Sequence, residues 1–100
     1  MKAEIFNYSC WVANTDKEYL EHVLGQMLKE SGLTVLSYQE HSFKPYGYTG
    51  LWLIAESHFA VHTFPEENKA YIELSSCNEE KQDKFVKLLL EKLHVVSQHG

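Results

Sequence analysis

Two stretches of this chain, NTDKEYLEHVLGQMLKESG (residues 14–32) and EEKQDKFVKLLLEKL (79–93), carry apolar residues at helical spacing along one side only. In the first, Tyr19, Leu20, Val23, Leu24, Met27 and Leu28 share a face; in the second, Phe85, Leu88, Leu89 and Leu93 do. A helix with one apolar face must bury it against another element. Thr15 and Glu18 stand at capping-box spacing for the first helix, and Gly32 suits its stop. The rest of the chain reads as extended, so the partner of both helices is a sheet.

Residues 3–13 (AEIFNYSCWVA) are rich in aromatic and β-branched types and predict a strand. LTVLSYQEHSF (33–43) alternates as a strand does, and KPYGYTG (44–50) is a turn. Residues 50–57 and roughly 59–64 are extended, with Pro65 ending the run. ENKAYIELSS (67–76) is a further strand, and HVVSQ (94–98) closes the sheet as a short edge. The order is roughly β-α-β-β-β-α-β. It predicts an α+β fold: a two-layer α/β sandwich, mainly antiparallel, with both helices on one face. The other sheet face then lacks a cover, and a dimer is expected to supply one.

One hundred residues, 44% of them hydrophobic, suit a single domain over 1–100. A net charge of -5, with 14 acidic and 9 basic residues and no basic cluster, excludes a general nucleic-acid binder. No segment approaches membrane-span length, and MKAEIFNYSCWVAN lacks the apolar run of a signal peptide. With no secretion signal, Cys10 and Cys77 read as free thiols, and a cytoplasmic protein is expected.

The segment GYTGLWLIAESHFAVHTFPE (47–66) is apolar, yet holds Glu56, Ser57, His58 and His62. Unpaired polar groups are costly to bury, so this strand either has a wet face or carries chemistry. His58 and His62, four apart on an extended chain, stand roughly 13 Å from each other, too far to share one ion. No metal is expected. Ser57 and His58 point to opposite faces, and no GxSxG elbow is present, which argues against a serine hydrolase. Cys77 follows a strand and precedes a helix. It is either a thiol activated by the helix dipole or a small residue at a strand end. Cys10, within a strand, reads as core. Phe43 is a strand-end core residue or an exposed stacking platform, and Glu66 taken alone is a solvated carboxylate.

Taken together, FKPYGYTG, ESHFAVHTFPE and SSCN resemble the prokaryotic S-adenosylmethionine decarboxylase proenzymes. The usual pattern there is FxPxGVSG, ESHxSIHTWPE and FTCG at the same intervals. The similarity covers most of the chain, including the first helix and the HVV near the C-terminus. The resemblance implies a pyruvoyl-dependent enzyme that cuts itself between Glu56 and Ser57, giving chains 1–56 and 57–100. Ser57 would become the pyruvoyl group that forms a Schiff base with the substrate amine. His62 would assist proton removal during self-cleavage, and Thr49 occupies the place of a hydroxyl residue that helps processing. Cys77 would protonate the substrate α-carbon after CO2 leaves. Phe43 resembles the adenine-stacking aromatic, Phe59 an apolar lining residue of the nucleoside pocket, and Glu66 the carboxylate that holds the ribose hydroxyls. The implied product is the aminopropyl donor of spermidine synthesis, and the implied assembly is a dimer whose sites draw on both protomers. Ala60, Phe64 and Asn78 depart from the pattern, which has serine, tryptophan or tyrosine, and glycine at those places. Two alternatives remain open here: decarboxylation of another amino acid, such as arginine or ornithine, and an unprocessed relative that only binds.

Overall fold

The computed structural model describes residues 3–99. The two one-sided stretches fold as helices α1 (Lys17–Glu30) and α2 (Glu79–Lys92). The cap of α1 is Asp16, whose carboxylate accepts from the Tyr19 amide at 2.9 Å, one residue later than the Thr15 spacing suggests. At its other end the Gly32 amide donates to the Lys29 carbonyl, and Leu33 reaches back to Leu28. That paired closure needs the left-handed φ of 86° that Gly32 adopts.

Among the described residues six strands form one sheet: β1 (Phe6–Val12), β2 (Val35–Ser42), β3 (Tyr48–Ile54), β4 (Ser57–Phe64), β5 (Lys69–Ser76) and β6 (Val95–His99). Their spatial order is β2-β3-β4-β5-β1-β6, and every neighbouring pair is antiparallel. The chain order is therefore β-α-β-β-β-β-α-β, one strand more than expected. The extended run over 50–64 is not continuous. It folds back at Ala55–Glu56, so that Ile54 lies opposite Ser57 across a two-residue turn.

Alternation then sorts the side chains. Tyr8, Cys10, Val12, Trp52, Phe59, Val61, Ile72 and Leu74 are buried toward the helices, against Leu20, Leu24 and Leu28 of α1 and Phe85 and Leu89 of α2. Trp52, Phe59 and Phe85 stack through this core with ring centroids 5.2 and 5.1 Å apart. The opposite face carries Thr49, Leu51 and Leu53 of β3 and His58, Ala60, His62 and Phe64 of β4. Among the described residues no helix covers it: Leu51 and Leu53 remain 43% and 52% exposed. The result is the expected two-layer α+β sandwich with one open sheet face. Among the described residues, no helix is long and apolar enough to cross a membrane.

Candidate active site

The β3–β4 hairpin turns on Ala55 and Glu56, without the Gly or Asn that two-residue hairpin loops favour. Glu56 takes a left-handed φ of 56°, a conformation that is strained for a residue with a Cβ. The bond after it, Glu56–Ser57, thus begins β4 at a point of backbone strain.

On the next strand, β5 pairs with β4 so that Ser75 lies opposite His58. This register carries the chain past Ser76 to Cys77, directly beside the hairpin. The Cys77 amide donates to Ser57 Oγ at 3.4 Å, and the Cys77 thiol donates to Glu56 Oε2 at 3.8 Å. Asn78 then caps α2, its Oδ1 accepting from the Lys81 amide at 2.9 Å. Its φ of -124° is extended, so the position where the resembling pattern has glycine needs no left-handed backbone here. A cavity of about 530 Å³ opens alongside, walled by Glu56, Cys77, Asn78 and Glu79 and by the segment from Ala3 to Phe6. Cys10, in contrast, is fully buried, and burial pushes its thiol pKa up.

A second cluster occupies the far end of β4 on the open face. Thr49 and His62 are direct cross-strand partners, with Thr49 Oγ1 2.8 Å from His62 Nδ1. On the other side Tyr71 lies opposite His62, its ring nearly parallel at 19° and 6.4 Å away. Phe43 follows the end of β2. Its amide donates to the Gly47 carbonyl at 2.8 Å and closes the turn, in which Gly47 holds a φ of 104°. Phe43, Tyr46, Thr49, His62, Phe64 and Glu66 line a cavity of about 390 Å³.

The named residues therefore form two groups, Glu56–Ser57–Cys77 and Phe43–Thr49–His62–Glu66. Five residue steps of extended chain separate Ser57 from His62, about 17 Å at strand spacing. Phe59 joins neither group. It shares the parity of Val61 and Thr63, so its ring lies on the helix side, fully buried between Trp52 and Phe85, and lines neither cavity. Tyr46 and Phe64 were missed as cavity walls; alternation from His62 would have placed Phe64 on that face. Glu4 and Glu79 beside Cys77 carry no local signal. Among the described residues, no group of three or more His, Cys, Asp or Glu is placed to hold a metal ion.

A family model described as S-adenosylmethionine decarboxylase matches residues 7–99. The chain is 40% identical over 73 residues to a protein of Parasynechococcus marenigrum (strain WH8102) named S-adenosylmethionine decarboxylase proenzyme, covering 72% of this chain and 57% of that protein. A Thermotoga petrophila protein of the same name is 41% identical over 71 residues, covering 65% of this chain and 55% of its own length. The match thus spans little more than half the length of these two relatives. The fold is similar to the crystal structure of the adenosylmethionine decarboxylase from Aquifex aeolicus VF5. Its TM-score is 0.82 at 23% identity, over 99% of this chain and 88% of that one.

Proposed function

Since this chain belongs to the S-adenosylmethionine decarboxylase family, we propose that it cuts itself between Glu56 and Ser57 and then decarboxylates S-adenosylmethionine. The observation that carries the proposal is the hairpin: a left-handed Glu56 immediately before a serine whose Oγ accepts a hydrogen bond from the Cys77 amide. The Ser57 hydroxyl attacks the Glu56 carbonyl carbon, and the peptide C–N bond breaks as an ester forms. Loss of the Ser57 α-proton then expels the Glu56 carboxylate. The dehydroalanine left at position 57 tautomerises to an imine, takes up water and releases ammonia. Chain 57–100 is left beginning with a pyruvoyl group.

The residues around position 57 fit such a group, since a cavity opens at Glu56 and Cys77 and a thiol faces it. When present, the pyruvoyl ketone binds the substrate amine and draws off the electrons released with CO2. Cys77 supplies the proton that replaces CO2 on the substrate α-carbon. Phe43 offers an exposed ring for the adenine, and Glu66, lining the same cavity, accepts hydrogen bonds from the ribose hydroxyls. The product is the aminopropyl donor for spermidine synthesis. The enzyme works in the cytoplasm, where Cys10 and Cys77 stay reduced.

His62 is the base that takes a proton during self-cleavage, with Thr49 holding its imidazole. It stands about 17 Å along the strand from the Ser57 of its own chain. We therefore take the working form to be a homodimer in which His62, Phe43 and Glu66 of one copy serve Ser57 and Cys77 of the other. What supports this is the separation of the two groups together with the uncovered Leu51 and Leu53.

The test is release of labelled CO2 from carboxyl-labelled S-adenosylmethionine. Wild-type protein is expected to release it, Ser57→Ala not at all, and Cys77→Ala at least about 100-fold more slowly. CO2 release by the Ser57→Ala protein would contradict the proposal.

A further inference from the structure

Phe43 presents an unusual mechanical problem. Its ring is 51% exposed at the end of an edge strand, yet a stacking platform must hold one orientation before its ligand arrives. A freely turning ring loses rotamer freedom on binding and weakens affinity accordingly. The backbone is already fixed by the hydrogen bond from the Phe43 amide to Gly47. The side chain leans on His41, whose ring lies 4.6 Å from that of Phe43 at 65°, an edge-to-face contact. The His41 backbone is fixed as well, because β2 pairs with β3 so that His41 lies directly opposite Thr49, while its ring is exposed.

We propose that His41 is a positioning residue for the nucleoside half of the substrate: its ring sets the orientation of Phe43 and so governs substrate affinity, without taking part in either chemical step. The proposal rests on Phe43 being the adenine platform. His41 has a second neighbour, since Thr49 stands between it and His62 in adjacent strands. A role in self-cleavage is therefore the competing outcome. The ring contact with Phe43 favours positioning.

Wild type, His41→Ala and His41→Phe are compared in three measurements: the extent of self-cleavage by mass, kcat and KM for S-adenosylmethionine, and calorimetric binding of 5′-methylthioadenosine. That probe carries the nucleoside but lacks the α-amino group that would react at position 57. His41→Ala is expected to cleave as wild type does and to keep kcat within about twofold. Its KM and its dissociation constant for the probe should rise together by roughly fivefold to tenfold, the scale of one aromatic contact. His41→Phe, which keeps a flat ring at the same place, should restore most of that loss. Unchanged probe binding in His41→Ala overturns the proposal, and so does slowed self-cleavage. If wild type neither cleaves nor releases CO2, the decarboxylase reading fails, and probe binding alone judges His41. Should wild type not bind the probe either, both fail.

Discussion

Glu56 concentrates the backbone strain of the site in one residue. A left-handed φ costs a residue with a Cβ about 1 kcal/mol or more, whereas glycine adopts it freely. In a Ser57→Ala background, where the chain stays whole, Glu56→Gly is expected to stabilise the fold by about 0.5–1 kcal/mol, after allowing for glycine's greater freedom when unfolded. The check is a pair of thermal melts. A lower melting temperature for the glycine variant would show that the turn is relaxed. The two thiols differ just as sharply. Cys77 is exposed, while Cys10 is fully buried and its pKa is raised by burial. Alkylation of the native protein should label Cys77 alone, and Cys10 only after denaturation, as peptide mapping will show. Local sequence left Cys77 between two readings because nothing in SSCN reports what lies across the sheet. The β4–β5 register is what sets Cys77 beside Ser57, and register is a property of pairing, not of a tetrapeptide.

At the scale of elements, both helices and most strands were legible because their periods of 3.6 and 2 are strong over many residues. The Ala55–Glu56 turn was not. It lacks the usual hairpin residues, so a continuous run was expected where two strands lie. Local rules fail most readily where function requires strain. Phe59 is the reverse case: alternation alone would have put it in the core beside Val61, whereas matching it by motif position assigned it to the pocket. Phe59→Ala should therefore cost about 3–5 kcal/mol of stability, seen in denaturant melts, while Phe59→Leu costs far less. The start of α1 is tied to β2 by a 2.7 Å ion pair between Lys17 and Glu40. The hydrogen bond from Lys17 holds the Glu40 carboxyl below its usual pKa. A depressed carboxyl stabilises the fold above its unfolded pKa and loses that effect as pH falls through the folded one. The small gap in melting temperature between the Ser57→Ala protein and its Glu40→Gln variant should therefore hold at pH 7 and shrink only once pH falls below the ordinary carboxylate value of about 4.3.

For the whole molecule, the layer arrangement followed from one-sided helices, but the division of the site into two groups did not. That division depends on β4 running straight for eight residues between Ser57 and Phe64. If two copies complete each other, co-refolding a His62→Ala chain with a Ser57→Ala chain restores one composite site, in which the first chain is cut with help from the second. Cleavage of the His62→Ala chain should appear only in the mixture, where mass spectrometry distinguishes the two. The most direct measurement of all is the intact mass of freshly purified wild-type protein under denaturing conditions. The account predicts two chains, 1–56 and 57–100, the second starting with a pyruvoyl group and so lacking a free amino terminus. A single 11.6 kDa species that stays whole on prolonged incubation would contradict it, because no pyruvoyl group could then form.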